Sequence, residues 1–364
     1  MAQALRLAER GLYTTDPNPR VGCVLVRDGE VVGSGWHQRA GGPHAEVLAL
    51  QEAGDRAHGA IAYVTLEPCC HHGKTPPCSD ALIQAGVQRV ITAMEDPNPR
   101  VAGQGLAQLQ RAGIEVETGL MQAQAEALNP GFTQRMRNGR PLVRCKLAMS
   151  LDGRTAMASG ESKWITGAAA RQHVHRLRAR SSAIVTGIGT ILADDPALNV
   201  RLSDEEPEGG WRQPLRVVLD PNLSMPAHAQ MLTLPGKTWV VTASRDPEQE
   251  DLLQQAGAEI VHLPAPGGFI DLPELMQELA HAQVNEVLVE TGATLSGSML
   301  RAGLIDELWI YMAPHLMGDS ARGLFHLPGL DRMEQRIDLR IEDIRPVGQD
   351  WCIRARVHAQ KAGD

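Results

Sequence analysis

The sequence predicts an α/β protein built from two domains. Short apolar runs typical of strands alternate along the chain with stretches of helical periodicity. With 364 residues, of which 43% are hydrophobic and 21% charged, the chain is long enough to bury two separate cores. Clusters of turn-forming residues at 129–131 and 138–141 interrupt the alternation. We therefore predict one domain at residues 1–140 and a second at residues 141–364.

The first domain begins with a helix and then alternates strands and helices. Its predicted helices span residues 2–11, 44–53, 80–85, 104–112 and 121–128. Its predicted strands span residues 21–26, 31–35, 62–66, 89–93 and 114–117. The hexapeptide DPNPRV occurs at 16–21 and again at 96–101, and because Asp, Asn and Pro all favour turns, it predicts two similar turns.

The second domain restarts with a strand at 142–148, followed by a basic helix at 168–180. Its further predicted strands span residues 183–186, 215–219, 238–242, 258–262, 286–290, 306–312 and 351–357. Segments of crossover length separate most of these strands, so the pattern predicts another mostly parallel sheet.

The composition limits the classes of partner. The formal net charge of -8 provides no broad positive surface for nucleic acid or an anionic membrane, and 3% aromatic residues leave few stacking surfaces for bases. No apolar run approaches the roughly 20 residues that span a bilayer. Six cysteines in so long a chain are too sparse for a secreted disulfide scaffold. We expect a cytoplasmic protein with small-molecule ligands.

The strongest chemical signal joins His44 and Glu46 to Cys69 and Cys78. The letters PHAE at 43–46 are followed by a predicted strand, by EPC at 67–69 and by Cys78, which matches the HxE…PC…C signature of zinc-dependent nucleobase deaminases. In such sites one imidazole and two thiolates hold Zn²⁺ and leave a fourth position for water. A carboxylate that does not bind the metal carries protons to the leaving amine.

The positions of these residues suit that chemistry. His44 and Glu46 follow Pro43, and at the first turn of a helix both side chains can reach a site beyond the helix end. Cys78 directly precedes a predicted helix, where a thiolate gains from the positive end of the helix dipole.

The spacing of the cysteines departs from the usual signature. Eight residues separate Cys69 from Cys78, where deaminases of this type commonly have two. Cys70 cannot easily face the same metal as its neighbour Cys69, whereas His71 or His72 could compete as ligands. A closed structural zinc site is the alternative, although it would have four protein ligands and no need of Glu46.

The second domain carries a weaker signal of its own, because no GxGxxG directly follows a strand. A buried strand at 287–290 runs through a glycine-rich turn into a helix, over residues 291–298. Backbone N–H groups at such a helix start suit a cofactor phosphate. An ordinary strand-turn-helix is the alternative that this motif alone favours.

Four segments together resemble the bifunctional riboflavin-biosynthesis deaminase/reductase family. They are TLEPCCHHGKTPPC at 65–78, with that family's long insertion between the cysteines, the paired DPNP segments, and SLDGRTA at 150–156. The resemblance extends over nearly the whole chain and is weaker near 203–212, near 243–272 and at the C-terminus. It implies a cytidine-deaminase-like first domain and a dihydrofolate-reductase-like second domain.

The resemblance also implies two consecutive reactions, with Zn²⁺ and NADPH as cofactors. The first is hydrolytic deamination of 2,5-diamino-6-(5-phosphoribosylamino)pyrimidin-4-one. The second is reduction of 5-amino-6-(5-phosphoribosylamino)uracil to the ribitylamino product. The sequence leaves open which group donates a proton in the reduction and which residue selects NADPH over NADH.

In the first domain the resemblance assigns metal, catalytic and substrate roles. The implied zinc ligands are His44, Cys69 and Cys78, and the implied catalytic proton carrier is Glu46. The implied substrate contacts are Asn18, His37, Lys74 and Asn98. Asn side chains can read a ring edge, and Lys74 offers a point charge for phosphate. An inert histidine is the alternative for His37.

In the second domain the resemblance divides the site residues between cofactor and substrate. The implied cofactor contacts are Ala148, Trp164, Thr190, Asp194, Gly292, Ala293, Thr294, Leu295, Ser296, Gly297 and Ser298. The implied substrate contacts are Lys146, Ser162, Arg178, Leu198, Arg201 and Glu290. The arginines suit phosphate because a guanidinium binds it bidentately. Glu290 ends a predicted strand, where α/β sheets place ligands, although such a carboxylate often caps the next helix.

Two other functions explain part of the pattern. A nucleic-acid base deaminase would share the zinc signature, but the acidic net charge and the few aromatic residues argue against it. A monofunctional deaminase with a binding domain would leave the many matched positions in 146–201 and 290–298 unexplained. A homo-oligomer is an open expectation, since such proteins commonly pair symmetrically.

Overall fold

The computed structural model of the protein describes residues 1–71, 76–202, 206–207 and 210–358. The chain divides into two compact units, Met1–Arg140 and Pro141–Asp364. None of the described helices is both long enough and apolar enough to cross a membrane.

The first unit is a sheet with helices packed against it. Its strands are β1 (Gly22–Arg27), β2 (Glu30–Trp36), β3 (Ile61–Val64), β4 (Arg89–Thr92) and β5 (Glu115–Thr118). Its helices are α1 (Ala2–Glu9), α2 (Ala45–Ala53), α3 (Cys78–Gln84), α4 (Gln104–Arg111), α5 (Gln122–Leu128) and α6 (Pro130–Asn138).

The first sheet is mixed, with strand order β2-β1-β3-β4-β5. Strands β1, β2 and β3 pair antiparallel, whereas β3, β4 and β5 pair parallel. The predicted elements are therefore present, but the structure adds α6 where the sequence analysis predicts only turns. Pro130 is tolerated there because it occupies the first helical position, where its missing N–H costs no helix bond.

Two glycines allow α2 to lie directly on β2. A Cβ atom at Gly33 would come within 2.2 Å of the Ala49 carbonyl oxygen, and one at Gly35 within 2.4 Å of the Ala45 carbonyl oxygen. The buried face of α2 contains the small residues Ala45, Ala49 and Ala53. This close packing fixes the N-terminus of α2, and with it His44, against the sheet.

The second unit is a larger sheet with helices on both faces. Its strands are β6 (Leu142–Ser150), β7 (Arg154–Ala156), β8 (Ala183–Gly187), β9 (Leu215–Leu219), β10 (Thr238–Thr242), β11 (Ala258–His262), β12 (Pro264–Ala265), β13 (Phe269–Ile270), β14 (Glu286–Glu290), β15 (Glu307–Ala313), β16 (Arg322–Gly323), β17 (Leu339–Val347) and β18 (Asp350–Val357). Its helices are α7 (Ala168–Arg180), α8 (Ile188–Asp194), α9 (Gln230–Thr233), α10 (Pro247–Gln255), α11 (Leu272–His281) and α12 (Ala293–Arg301).

The main sheet of the second unit has the order β11-β10-β9-β8-β14-β6-β15-β18-β17. From β11 to β15 all neighbours are parallel, and β18 and β17 add antiparallel strands, so the sheet is mostly parallel as predicted. One face packs against α11 and α12, and the other packs against α7. Strand β17 is not predicted from the sequence, because most residues of this edge strand are exposed and show no buried alternating face.

Candidate active sites

Short local elements bring His44, Cys69 and Cys78 together in the first unit. His44 is the N-cap of α2, and Cys78 is the first residue of α3. Cys69 lies in the loop that follows β3. The Cys78 backbone N–H points at the Cys69 sulfur at 3.4 Å, so the start of α3 directs its positive dipole end at Cys69, whereas the sequence predicts this effect for Cys78 itself.

The three side chains have the geometry of a tetrahedral zinc site. Their ligand atoms all lie within 4.8 Å of one another, and within the described chain this is the group suited to a metal ion. His44 Nδ1 lies 3.2 Å from Cys78 Sγ and 3.6 Å from Cys69 Sγ. Ideal Zn–N and Zn–S bonds place nitrogen and sulfur ligands about 3.6 Å apart. Three protein ligands leave the fourth position that a catalytic zinc requires.

The electrostatics of the two cysteines favour a thiolate at Cys69. Hydrogen bonding to Cys78 lowers the pKa of Cys69 to about 4, against the opposing effect of burial. The same bond raises the pKa of Cys78, because Cys78 is then the partner that keeps the proton. Cys70 and His71 are outside the metal group, and His72 lies outside the described residues, as does Lys74.

Glu46 lies beside this group without belonging to it. It is 3% exposed in the first turn of α2, two residues after His44. Burial, followed by the charge of Cys69, raises the pKa of Glu46 to about 7. A carboxyl group in this range can both accept and release a proton near neutral pH.

Asn18 and His37 form one hydrogen-bonded unit at the same site. The His37 ring lies edge-on to the His44 ring, with 5.3 Å between centroids. Its Nδ1 is 3.0 Å from the Pro43 carbonyl oxygen, which can only accept, so Nδ1 carries the proton. Nε2 then accepts from Asn18 Nδ2 at 3.1 Å. His37 is therefore buried with both nitrogens engaged, and it sets the orientation of the Asn18 amide.

Asn98 lies in a loop that Glu67 organises. The buried Glu67 carboxylate accepts backbone N–H groups from Asp96 at 3.1 Å, Gly103 at 2.9 Å and Gly105 at 2.9 Å. The Asn98 side-chain oxygen accepts the Arg100 N–H at 3.1 Å, as in an Asx turn. Glu67 is part of the zinc motif, but the sequence predicts no role for it, because several of its partners come from a distant part of the chain.

The two DPNPRV segments do not form the similar turns that were predicted. In the first, the Asn18 N–H donates to the Thr15 carbonyl, whereas in the second the Asn98 N–H donates to the Asp96 carboxylate. Asp96 is buried beside Glu67, and burial raises its pKa to about 7. Surroundings therefore override the shared turn propensity of the hexapeptide.

In the second unit, Lys146, Arg178 and Glu290 gather on the sheet face that packs against α7. Glu290 ends β14 and pairs in register with Lys146 of β6. Arg178 of α7 holds the Glu290 carboxylate bidentately, with Nε–O and Nη–O distances of 2.6 and 2.9 Å. Its remaining nitrogen donates to the Asn199 carbonyl at 3.2 Å.

These contacts engage all three nitrogens of the Arg178 guanidinium with protein groups. The role of Arg178 in binding substrate stays a prediction. Burial lowers the pKa of Lys146, and the Glu290 carboxylate partly offsets this effect. Burial alone would raise the pKa of Glu290, but the Arg178 guanidinium lowers it below the ordinary value. The cluster therefore places two basic side chains, Lys146 and Arg178, beside the single Glu290 carboxylate.

The predicted substrate residues Leu198 and Arg201 lie in the segment that follows α8. The Leu198 side chain is 3% exposed and packs in the core against α7, so only its backbone can face a ligand. The Arg201 side chain is exposed, and its backbone N–H donates to His175 Nδ1 at 3.2 Å. Ser162 is half-buried in the loop before α7.

The predicted cofactor residues lie around the carboxyl ends of β8, β14 and β6. A Cβ atom at Gly187, which ends β8, would lie 3.5 Å from the Thr291 hydroxyl and 3.4 Å from the Leu295 side chain. The segments leading to Thr190 and to Gly292 are therefore adjacent, and a Cβ atom added at Gly189 or Gly292 would meet no atom of a more distant residue within 4 Å. This open edge lies at the carboxyl ends of parallel strands, where α/β sheets place ligands. Ala148, on β6, is half-buried.

Trp164 and Asp194 border this edge. Trp164 is 72% exposed, and the Arg171 guanidinium lies 4.6 Å from its ring centroid. Lys163 binds Asp194 with an Nζ–O distance of 2.9 Å, which ties the Trp164 loop to the end of α8. Arg171 was not predicted, because its stacking on Trp164 depends on the path of the intervening loop.

The turn and helix predicted over residues 291–298 are present, and the turn is short. Helix α12 begins at Ala293, and its bonding starts with the Ser296 N–H to the Gly292 carbonyl. The first-turn N–H groups, up to Leu295, precede that bonding and suit an anion. Ser296 is buried beside Cys145, and a Cβ at Gly297 would come within 2.1 Å of the His326 carbonyl oxygen. Both residues are buried, and their role in binding the cofactor stays a prediction. Thr294 is exposed, and the Ser298 hydroxyl donates to its carbonyl.

Comparison with known proteins finds matches for both units. Residues 1–94 match the zinc-binding region of cytidine and deoxycytidylate deaminases, and residues 141–353 match the RibD C-terminal domain. The riboflavin biosynthesis protein RibD of Escherichia coli strain K12 is 53% identical over 361 residues, covering 97% of each chain. The protein of the same name from Haemophilus influenzae is 52% identical over 360 residues, covering 96% of this chain and 94% of that protein.

The chain belongs to the bifunctional riboflavin-biosynthesis deaminase/reductase family. Among solved structures, Acinetobacter baumannii RibD is 48% identical with a TM-score of 0.91, covering 98% of both chains. The deaminase/reductase of Thermotoga maritima is 31% identical with a TM-score of 0.84, covering 98% of this chain and 97% of that one. The protein is thus a bifunctional enzyme with a zinc-dependent deaminase and an NADPH-dependent reductase. The predicted fold class, function and cofactors are confirmed.

Proposed function

We propose that the first unit of this chain deaminates 2,5-diamino-6-(5-phosphoribosylamino)pyrimidin-4-one through His44, Cys69, Cys78 and Glu46. The observation that carries the proposal is the three-ligand group with a buried carboxyl beside it. When bound, zinc supplies a Lewis acid that lowers the pKa of water towards about 7. Glu46 takes the proton from the attacking water and delivers it to the leaving amine, releasing ammonia.

Within this proposal, Asn18 meets the pyrimidine edge, and His37 positions Asn18. The His37 ring accepts from the Asn18 amide nitrogen, so the amide oxygen is directed away from the ring and can accept a substrate N–H. Asn98 and Lys74 keep their predicted substrate roles. The backbone order that Glu67 imposes on residues 96–106 supports a fixed position for Asn98.

We propose that the second unit reduces 5-amino-6-(5-phosphoribosylamino)uracil at the edge between Lys146 and Arg201. NADPH supplies the hydride, so the protein has to bind and orient two anionic molecules. Lys146 and Arg201 supply positive charge to the substrate, while Arg178 and Glu290 form a fixed pair that shapes the pocket. Ser162 and the Leu198 backbone complete the substrate side.

The cofactor side of the proposal uses the open edge around Gly187. Trp164 and Ala148 contact the nicotinamide half, and Thr190, Asp194 and the first turn of α12 contact the phosphates and ribose. The adjacency of Gly187, Thr291 and Leu295 supports this arrangement, because it joins two segments that a dinucleotide must touch.

One experiment on the whole enzyme tests both halves. Zinc content is measured on a preparation that is then given the diaminopyrimidine substrate and NADPH, with ammonia release and absorbance at 340 nm followed together. We expect about one Zn²⁺ per chain and coupled loss of NADPH. Ammonia release without NADPH oxidation, even when the deaminated intermediate is supplied, would leave only the first half of the proposal standing.

The cellular location and the partners that we propose follow from the chemistry of the protein. The zinc thiolates require a reducing compartment, which supports a cytoplasmic location. The net charge of -8 supports small phosphorylated substrates rather than nucleic acid or membrane as partners. Assembly into a homo-oligomer stays a prediction, to be measured by sedimentation.

A further inference from the structure

The backbone at residues 199–201 is irregular, yet side chains hold it on both sides. The Val200 N–H donates to Gln213 Oε1 at 2.8 Å, and the Val200 carbonyl accepts from Gln213 Nε2 at 3.4 Å. The Asn199 carbonyl accepts from Arg178. Polar backbone groups of buried loops need such partners, and a loop with several of them has little freedom to move.

His175 completes this set of contacts from the neighbouring turn of α7. Its Nδ1 accepts the Arg201 N–H at 3.2 Å, so this nitrogen carries a lone pair and the ring is neutral. Burial, together with the charges of Arg178 and Arg201, lowers the pKa of His175 to about 4. The ring is therefore an acceptor throughout the physiological pH range.

We propose that His175 is a positioning residue of the reductase, which fixes the backbone of Arg201 and thereby the direction of the Arg201 side chain. Helix α7 carries His175 and Arg178 three residues apart, so one rigid element sets both the Arg201 segment and the Glu290 carboxylate. The inference rests on the proposed function, in which Arg201 binds the anionic substrate.

The test measures steady-state reductase kinetics of the full-length enzyme with the deaminated substrate and NADPH. His175→Ala removes the acceptor while keeping a strong helix former, and should raise the substrate KM about 3- to 10-fold, the effect of one hydrogen bond. The kcat and the KM for NADPH should stay within about twofold. His175→Gln should restore the substrate KM, because a glutamine oxygen can accept the same N–H.

His173→Ala is the matched control on the same helix. His173 is also half-buried, but its ring contacts Tyr311 and Arg345 rather than the Arg201 segment. This variant should lower the melting temperature to a similar extent and leave the substrate KM unchanged. Equal increases of the substrate KM in the two variants would show general destabilisation of α7 and overturn the inference.

A double variant separates the inference from the proposed function. If His175 acts through Arg201, then adding His175→Ala to Arg201→Ala should not raise the substrate KM further. Independent, multiplying effects would overturn the positioning role while leaving Arg201 as a substrate residue. If Arg201→Ala alone leaves the substrate KM unchanged, the proposed substrate role of Arg201 fails, and the positioning role falls with it.

Discussion

Glu46 in the first site and Glu290 in the second are both buried carboxyl groups, but their pKa values shift in opposite directions. Burial and the neighbouring Cys69 raise the pKa of Glu46 to about 7. Glu290 is buried as well, yet the bidentate Arg178 guanidinium keeps its pKa below the ordinary value. One carboxyl faces a sulfur anion and the other faces a cation.

This difference separates two kinds of catalysis within one chain. A carboxyl with a pKa near neutrality can exchange protons during a hydrolytic reaction. A carboxylate held permanently ionised is a fixed charge that orients its neighbours, which suits a site where NADPH supplies the reacting hydride. The first site is therefore built for proton transfer, and the second is built for binding and alignment.

The largest expected effect comes from removing a sulfur ligand. Cys78→Ser should release the zinc and abolish ammonia production, since two remaining protein ligands hold the metal poorly. Reduction of the deaminated intermediate should continue. Metal analysis and the two separate assays check this, with Cys70→Ser as the control that keeps zinc. Full deamination by a zinc-free Cys78→Ser enzyme would refute the assignment.

Glu46→Gln tests the proton-transfer side of the comparison. The variant should keep its zinc but lose at least roughly 10²-fold in the deamination rate, because the amide cannot carry a proton. Glu52→Gln, an exposed position on the same helix, should have little effect on that rate. A parallel loss of zinc and activity in Glu46→Gln would instead make Glu46 a support of the metal site.

Glu290→Gln tests the role of the permanently ionised carboxylate in the second site. It leaves the buried Arg178 without its carboxylate, so we expect a loss of about 3 to 5 kcal/mol in the free energy of unfolding, together with a higher substrate KM. Glu286→Gln is the matched control, because Glu286 pairs with the buried Arg144 at the opposite end of β14. Denaturant unfolding should show a comparable loss there, whereas the substrate KM should not change.

The smallest expected effect on activity belongs to Asp96, whose substitution should change how stability depends on pH. Its folded-state pKa of about 7 lies above the ordinary value near 4, so the folded enzyme favours the protonated form and loses stability as pH rises from about 4 to about 7. Asp96→Asn should remove this loss and be more stable than the parent at pH 8 by up to about 4 kcal/mol, because one pKa unit corresponds to about 1.4 kcal/mol. Parallel stability-pH curves for the two proteins would contradict the raised pKa.

Most strands and helices were predictable because each has a clear local pattern. The strands at 215–219 and 238–242 agree residue for residue with the structure. Helix α6 was missed because Pro130 and Gly131 read as a turn, although Pro is also a favourable first helical residue. Strand β17 was missed because it is an exposed edge without a buried alternating face.

The zinc group and Glu46 were predictable because metal ligation requires particular residue types, and short motifs place them on helix starts and one loop. The sequence alone therefore determined the family, the two reactions and the candidate ligands. Only the tertiary structure decided that Arg178 pairs with Glu290, that Ser296 and Gly297 are buried, and that His175 accepts the Arg201 N–H. Those outcomes depend on contacts between elements far apart in the chain, where distance and burial rather than residue type decide which groups meet.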